Sequence, residues 1–404
     1  MRGRVATRPY NKIPMITIQL KKGREKPVRA GHPWIFSGAI MKVDGQAAPG
    51  DLCTVESNSG ETLGCGYYNP ASAISVRMLS IGKALFTVSD LNRRMDRAID
   101  LRKGLFEDVK TTAFRLINSE GDFLPGVIVD KYGEGLCIQI LTAGMEHFRQ
   151  AIIARLQSVL SPAFIFERSD TESRARESLD AQEGAIAGQM PESPEFIENG
   201  LRFDVDLGSG QKTGFFLDQR DNRRLVGTYA SGASVCDLFA YSGGFSAYAW
   251  AQGARAVQTV DISKSALMLA KKNLSLNALP CSDEQFIAAD VFSYLRRDVG
   301  PFGLIVLDPP KFAKHPGEVE QAARGYKDIN LLAFKRAAPG ALVFTFSCSN
   351  AVDRKLFRQI VFSAAADSGR SIQVLQELGA GPDHPVNIAH REGDYLKGLA
   401  LRVE

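Results

Sequence analysis

One stretch of the chain, Val235 to Ser246, restricts the possible folds most strongly. It reads VCDLFAYSGGFS, an apolar run that ends in two adjacent glycines and continues into a helix-compatible segment. This order predicts a buried parallel strand, a tight turn and a crossover helix. Because Gly243 and Gly244 lack Cβ atoms, they allow positive φ and let a ligand approach the main chain at the helix N-terminus. A glycine turn also occurs where only packing requires it, so the stretch alone predicts an α/β sheet rather than a ligand.

Acidic residues close four successive strand-like runs that begin with this stretch, namely Asp237, Asp261, Asp290 and Asp308. Asp261 is placed to accept hydrogen bonds from two ribose hydroxyls, and Asp290 one from an adenine amino group. NAD is disfavoured because the turn lacks the spaced G-x-G-x-x-G of dinucleotide folds. Each acid alone could be solvated or could cap a helix. Together they predict a nucleoside site at the carboxyl ends of parallel strands.

Length, charge and cysteine usage exclude several other classes of protein. A chain of 404 residues is expected to form two or three domains. Residues 1–29 hold nine Lys or Arg and one Glu, which suits phosphate contacts or a solvated tail. Six cysteines without a C-x-x-C pair and five histidines without ligand spacing predict neither a disulfide framework nor a metal site. No membrane-spanning run or signal-peptide core is evident, so a cytoplasmic protein is expected.

The pattern of turns and periodicity divides the chain into three predicted domains. Residues 13–85 alternate short β-type runs with Gly, Pro and Asn turns, which is typical of a small β-barrel. Residues 86–192 combine an amphipathic helix, strands and a second helix, and form a predicted α+β middle domain. Residues 193–404 begin with a hairpin signal at Glu198-Asn-Gly200 and then alternate strands with helices. A β-hairpin is predicted at the end of the chain.

These motifs together resemble those of a known family. The residues that carry the resemblance are Asp237, Gly243-Gly244, Asp261, Asp290, Asp308-Pro-Pro310 and Ser347-Cys-Ser349. They are similar to those of class I S-adenosylmethionine-dependent methyltransferases, and most similar to the bacterial ribosomal large-subunit RNA methyltransferase I family. Members of that family are cytosine-C5 enzymes with an N-terminal PUA domain. The resemblance extends from about Gly31 through Glu120–Asp130 and Lys212–Arg220 to Gly398, nearly the whole chain.

The resemblance implies a fold, a cofactor and a partner. The fold is α/β, a Rossmann-like methyltransferase sheet with an N-terminal PUA-like β-barrel and a small α+β middle domain. The cofactor is S-adenosylmethionine and the partner is RNA, 23S ribosomal RNA within the family. Cofactor contacts are assigned to Asp237, Phe239, Tyr241, Gly243, Asp261, Ile262, Asp290, Asp308 and Phe216, with Lys212 and its neighbouring glycines at the methionine end. RNA contacts are assigned to Arg29, His32, Trp34 and Lys311, although Trp34 and Phe36 could instead be core aromatics.

Asp308 and Cys348 are the predicted catalytic residues, because both follow neighbouring strands of the sheet. Cytosine C5 is a poor nucleophile, and a thiolate that adds to C6 would activate it. Cys348 would need a lowered pKa for this attack, and Asp308 would hold the ring at N3 or at the amino group. Many RNA cytosine-C5 enzymes carry a second cysteine where this chain has Pro310. Product release would therefore depend on another base.

Two alternatives to cytosine-C5 chemistry remain open. The run Asp308-Pro-Pro-Lys-Phe312 also resembles the motif with which amino-group methyltransferases grip an exocyclic nitrogen, and Cys348 would then be an inert core thiol. A non-catalytic RNA-binding assembly factor is the second alternative, which the four retained acids disfavour. Whether the protein is a monomer or a homodimer is left open.

Overall fold

The computed structural model describes residues 16–107, 110–169, 172–208, 214–313 and 315–404. Lys212 and the part of the basic N-terminal segment before Ile16 lie outside these residues. The described chain divides into two compact units. The first contains the residues up to Pro194 together with the described parts of Leu207–Gly214 and Asp383–Gly393, and the second contains the remainder. None of the described helices has the length and apolar composition needed to cross a bilayer.

A six-stranded sheet begins the first unit. Its elements are β1 (Ile16–Leu20), α1 (Lys26–Arg29), β2 (Trp34–Ile35), β3 (Ile40–Asp44), β4 (Asp51–Glu56), β5 (Thr62–Tyr68) and β6 (Val76–Ile81). The strand order is β2-β6-β5-β4-β1-β3, with β1 and β4 parallel and the other pairs antiparallel. Ile16, Ile18 and Leu20 are buried at alternate positions of β1, as a sheet with one covered face requires.

A five-stranded sheet with flanking helices completes the first unit. Its elements are α2 (Val88–Leu105), β7 (Ala113–Asn118), β8 (Val127–Tyr132), β9 (Gly135–Ile140), α3 (Ala143–His147), α4 (Arg149–Leu160), β10 (Phe164–Ser169), α5 (Glu172–Arg176) and β11 (Gln182–Gly188). The strand order is β11-β10-β9-β8-β7. Thr87 starts α2 with a reciprocal capping box to Asp90. The polar run after Phe166 therefore contains both a helix and a strand.

The segment Asp383–Gly393 belongs to the first unit although it lies late in the chain. Arg102 is fully buried and donates to both carboxylate oxygens of Asp122, at 2.7 and 2.8 Å, and to the main-chain oxygen of Asp383 at 2.8 Å. The main-chain N–H of Arg115 donates to the Asp383 carboxylate at 2.9 Å. This buried network fastens the segment to α2 and β7. The division into three domains at residues 85 and 192 stays a prediction.

A seven-stranded sheet forms the centre of the second unit. Its elements are β12 (Glu195–Glu198), β13 (Leu201–Asp204), α6 (Arg220–Thr228), β14 (Ser234–Leu238), α7 (Gly244–Ala251), β15 (Ala256–Asp261), α8 (Lys264–Leu276), β16 (Phe286–Ala288), α9 (Val291–Arg296), β17 (Phe302–Leu307), α10 (Val319–Arg336), β18 (Ala337–Ser347), α11 (Arg354–Ser368), β19 (Ile372–Gly379) and β20 (Lys397–Val403). The order in the sheet is β16-β15-β14-β17-β18-β20-β19. All neighbours are parallel except β20, which is antiparallel to β18 and β19. The predicted α/β sheet with its reversed last strand is confirmed.

Helices cover both faces of this sheet. Leu238 and Leu307 belong to the core cluster that includes residues of α9, α10 and α11. Val235 and Val306 point to the opposite face, into a cluster with residues of α6 and α7. Strands buried on both faces read as continuous apolar runs, which is why the sequence of β14 and β17 predicted parallel strands. The predicted hairpin also forms, because Asn199 and Gly200 both adopt positive φ between β12 and β13.

Candidate functional site

The carboxyl ends of β14, β15 and β17 bring three predicted site residues into one row. Leu238 pairs with Val260 on one side and with Leu307 on the other. The residues that follow these three are Phe239, Asp261 and Asp308. They therefore leave the sheet side by side, at the edge where ligands of open α/β sheets bind. Asp290 follows β16 by two residues, farther along the same edge.

The loop between β14 and α7 has an unusual backbone. Phe239, Tyr241 and Gly243 have φ angles of 60°, 46° and 72°. Side-chain-bearing residues in this region carry a strain that commonly marks binding sites. A Cβ atom on Gly243 would also lie 2.7 Å from that of Ala270. Glycine is therefore required at this position both for its positive φ and for lack of space. Gly244 does not have positive φ, contrary to expectation, and its missing side chain instead makes room for Arg223.

Asp237 lies beneath this loop and is fully buried. One carboxylate oxygen accepts hydrogen bonds from the N–H and the hydroxyl of Ser246, at 2.9 and 2.7 Å, and the other has no hydrogen-bond partner in the described structure. The pKa of Asp237 is raised to about 7, mainly by burial and to a smaller extent by the nearby Asp308 and Asp261 carboxylates, against the lowering effect of the Ser246 hydrogen bonds. Three close acids make this pocket favourable for a positively charged ligand, which S-adenosylmethionine is.

Asp261 is fixed by main-chain hydrogen bonds on both carboxylate oxygens. One accepts from the N–H of Tyr241 at 2.9 Å and the other from that of Ser263 at 2.8 Å. Each oxygen has a second lone pair with which to accept from a ribose hydroxyl. The adjacent Ile262 is 73% exposed, an apolar surface suited to the face of a base. These two residues fit the nucleoside half of the cofactor.

Asp290 and Phe216 are the outlying members of the predicted cofactor set. Asp290 caps α9 by accepting from the N–H of Ser293 at 2.9 Å, which is the helix-cap role left open by its sequence. The ring of Phe216 meets that of Tyr241 edge to face at 5.4 Å. Arg223 donates to the main-chain oxygen of Phe216 at 2.9 Å and forms a buried ion pair with Glu198 at 2.6 Å. The ion pair between Arg223 and Glu198 therefore holds the main chain at Phe216 in place. The cofactor roles of the individual residues stay predictions.

Hydrogen bonds tie together the loops that follow β17 and β18. The hydroxyl of Ser349 accepts from the N–H of Ala313 at 3.3 Å and lies 3.1 Å from the Tyr326 hydroxyl. Ser347 donates to the same tyrosine at 3.0 Å. The half-buried Cys348 stands between these two serines. Because Leu307 pairs with Thr345, Asp308 and Cys348 follow adjacent parallel strands at one edge of the sheet, and the region between their two loops is the candidate crevice. Cys348 also packs against the apolar cluster that includes residues of α6 and α7.

Lys397 belongs to this crevice and was not among the residues predicted from sequence. It begins β20 directly opposite Ser347 of β18, and its side chain is buried. Its ammonium donates to the main-chain oxygens of Ser349 at 2.7 Å and Val352 at 2.6 Å. Burial lowers the pKa of Lys397 to about 8, and Cys348 opposes the shift more than any other group. The sequence signal was a charge at the head of a strand whose next four residues, Gly398 to Leu401, carry no charge.

The predicted RNA contacts lie in both units. In the first, the Trp34 indole donates to Glu120 at 2.8 Å and lies 4.4 Å from the ring of His390, while Arg77 lies 5.4 Å from the ring centre. Trp34 is thus held by its own unit, whereas Phe36 beside it is 48% exposed. Arg29 is ion-paired with Glu61, and His32 lies 3.5 Å from Glu392. In the second unit Lys311 borders an open cleft of about 400 Å³ with Phe292, Phe312 and Gln321. All four RNA roles stay predictions.

The described residues contain no group of three or more His, Cys, Asp and Glu side chains that could hold a metal ion. The ionisable groups that the crevice brings together are carboxylates, one thiol and one ammonium. The acids around the loop after β14 suit a cationic nucleoside. The Cys348 thiol, with the Lys397 ammonium nearby, suits transfer of a group from that nucleoside to a carbon or nitrogen nucleophile.

Comparison with known proteins gives the class of protein. The S-adenosylmethionine-dependent methyltransferase family model matches residues 154–390, and a PUA-like domain model matches residues 18–81. The cofactor is therefore S-adenosylmethionine. A methyltransferase complexed with SAH and a protein of Streptococcus mutans described as a SAM-dependent methyltransferase have the same fold, with TM-scores of 0.84 and 0.83. Each is 24% identical and covers 96% of this chain and 100% of its own.

Curated relatives narrow the class to one family. The protein of Aeromonas salmonicida (strain A449) named ribosomal RNA large subunit methyltransferase I is 43% identical over 392 residues, which are 96% of this chain and 99% of the relative. The protein of the same name from Shewanella amazonensis (strain ATCC BAA-1098 / SB2B) is 41% identical over 393 residues, with the same coverage. The chain belongs to the ribosomal RNA large subunit methyltransferase I family.

Proposed function

We propose that this protein transfers a methyl group from S-adenosylmethionine to C5 of a cytosine in large-subunit ribosomal RNA, the 23S species, through a transient bond between Cys348 and C6. The observation that carries the proposal is that Asp308 and Cys348 follow adjacent parallel strands, with the two loops linked through Ser349 and with Phe239 beyond the neighbouring strand β14. Covalent activation of a pyrimidine requires a nucleophile beside the ring, and the Cys348 thiol is placed to serve as one.

The chemistry assigns a task to each residue. The Cys348 thiolate adds to C6, the C5=C6 electron pair moves to C5, and Asp308 holds N3 or the amino group of the ring. S-Adenosylmethionine, when bound, supplies an electrophilic methyl group, which C5 takes. The C5 proton then leaves to water, the double bond re-forms, and the electrons of the C6–sulfur bond return to Cys348. The products are 5-methylcytosine, S-adenosylhomocysteine and a proton.

The RNA substrate is inferred from the relatives and from the first unit. The relatives at about 40% identity are named for large-subunit ribosomal RNA, and the first unit carries the PUA-like match. Exposed Phe36 and the basic chain around it suit stacking and phosphate contacts. Lys311, exposed beside the crevice, suits a phosphate near the target base.

Methylation of an exocyclic amine is the second candidate function. Pro309 and Pro310 lack N–H groups, so the Asp308 loop offers acceptors to an amino group. The chain also has Pro310 where a second cysteine would assist release. In this case Cys348 would be a packing thiol, and Asp308 with the carbonyls of its loop would hold the base.

The two candidates give products that nucleoside mass spectrometry separates. The full-length protein is incubated with deuteromethyl-labelled S-adenosylmethionine and undermodified large-subunit ribosomal RNA, which is then digested to nucleosides. We expect the label in 5-methylcytidine. Label on an exocyclic nitrogen, in guanosine or cytidine, would contradict the C5 proposal. A parallel reaction with small-subunit ribosomal RNA tests the substrate assignment, because it should incorporate no label.

A further inference from the structure

Lys397 carries a charge that is buried in the protein. Its side chain is 2% exposed, and its ammonium donates to the main-chain oxygens of Ser349 and Val352. Within the described part of the chain it forms no ion pair with a carboxylate. A buried ammonium is costly unless an anion offsets the lost hydration, so a counter-ion is expected close by.

The neighbouring carboxylate does not fill that role. Asp394, which lies just before β20, receives both of its 2.8 Å hydrogen bonds from the guanidinium of Arg354 on α11. From the loop after β17, Lys311 adds a further positive charge around Lys397. Arg354 and Lys311 both disfavour the ammonium, so the surroundings of Lys397 are left with an excess of positive charge.

Cys348 is a further ionisable group near this ammonium. Of the groups that favour the charged form of Lys397, Cys348 acts more strongly than Asp394. The cysteine directly follows the strand that pairs with Lys397, and the ammonium donates to the main-chain oxygen of Ser349, the very next residue. The other titratable groups around Cys348 are the Tyr326 phenol on α10, whose pKa burial raises, so that it stays neutral, and the Asp308 carboxyl after the adjacent strand β17. A thiolate at Cys348 would therefore be the missing counter-ion.

We propose that the Lys397 ammonium holds Cys348 as a thiolate, which makes Lys397 a positioning residue for the attack on the RNA base. The catalytic consequence rests on the function proposed above, whereas the lysine–thiolate pair does not. The same cation favours release, because it stabilises the thiolate that leaves when the C5=C6 double bond re-forms. Stabilisation of the leaving thiolate matters in this protein because Pro310 stands where similar enzymes have the cysteine that assists release.

Alkylation of Cys348 as a function of pH tests the pair without RNA. The full-length protein is treated with iodoacetamide between pH 5 and 10, and the modified Cys348 peptide is quantified by mass spectrometry. We expect the wild-type rate to reach half of its maximum at about pH 7 or below, as for other activated thiols. Lys397→Gln retains a donor for the two main-chain oxygens but removes the charge. In this variant the midpoint should rise to about 8.5 or above, with an alkylation rate at pH 7 lower by about 10-fold or more.

Two further variants separate charge from structure. Lys397→Arg keeps the cation and should keep the low midpoint, and Lys355→Gln, an exposed lysine of α11, should behave as wild type. The acid limb of kcat/KM against pH should move upward with the alkylation midpoint in Lys397→Gln only. A purely structural role would lower activity without moving either midpoint, and would contradict the proposal.

The outcome stays decisive if Lys397→Gln does not fold, because a wild-type midpoint near the ordinary thiol value of about 8.5 would alone overturn the proposal. The proposed function fails in a different way. If Cys348 has a low midpoint but the labelled product is an N-methylated nucleoside, the lysine–thiolate pair stands and cytosine-C5 chemistry does not.

Discussion

Replacing Cys348 by alanine is expected to lower the rate of methyl transfer by a factor on the order of 10⁴, because it removes the nucleophile on which the covalent route depends. The affinity for S-adenosylmethionine should change by less than about 2-fold, since Cys348 follows β18, whereas the residues predicted to bind the nucleoside follow β14 and β15. Single-turnover transfer of a labelled methyl group measures the rate, and isothermal titration calorimetry measures the affinity.

Cys281→Ala is the matched control for this substitution. Cys281 is also partly exposed and belongs to the same unit, but it lies between α8 and β16. Its replacement should leave both measurements unchanged. Full activity in Cys348→Ala would favour the exocyclic-amine interpretation, in which the thiol only packs. Loss of cofactor affinity together with activity would indicate a collapsed site and would not support the covalent route.

Glu198→Gln is expected to lower the free energy of unfolding strongly, which is the second large effect. Glu198 and Arg223 form a fully buried ion pair of 2.6 Å in which both oxygens of Glu198 accept from the guanidinium. Removing the negative charge leaves the Arg223 cation buried and unpaired, which costs about 3–5 kcal/mol. Arg223 also holds the main-chain oxygen of Phe216, so cofactor affinity should fall as well.

Glu195→Gln provides a control on the same strand. Glu195 pairs with Arg202 at the same 2.6 Å distance, but this pair is exposed, and its loss should cost less than about 1 kcal/mol. Trp250 is the only tryptophan of the second unit and Trp34 the only one of the first. Urea denaturation followed by Trp250 fluorescence, in a shared Trp34→Phe background, therefore reports on the relevant unit. Equal destabilisation by the two glutamine variants would contradict the role assigned to burial.

The parts that the sequence predicted are those that follow from local pattern. Continuous apolar runs identified β14 and β17, because a strand covered on both faces has no polar side. Asn199-Gly200 identified the hairpin through its requirement for positive φ. Asp261 was proposed as a cofactor residue because the position after a parallel strand is a general site for ligands, and this role stays a prediction.

The parts that the sequence did not predict depend on contacts between distant residues. Nothing local marks Phe239 and Tyr241 as left-handed residues, since neither is a type that favours this conformation. Lys397 acquires its environment from the main-chain oxygens of Ser349 and Val352, which lie more than 40 positions earlier. The hydrogen bond between Trp34 and Glu120 likewise spans 86 positions. The sequence therefore did not predict that Trp34 is bound by residues of its own unit.

Covalent trapping tests the central claim, the attack of Cys348 on cytosine C6, most directly. Large-subunit ribosomal RNA containing 5-fluorocytidine is incubated with S-adenosylmethionine and the full-length protein, and any complex that survives denaturation is digested and mapped by mass spectrometry. Fluorine at C5 cannot leave as a cation, so the adduct should persist after methyl transfer with the nucleotide attached to the Cys348 peptide, and it should be absent with Cys348→Ala. If methyl transfer proceeds without a denaturation-resistant complex, or if the nucleotide maps to another residue, the account is contradicted.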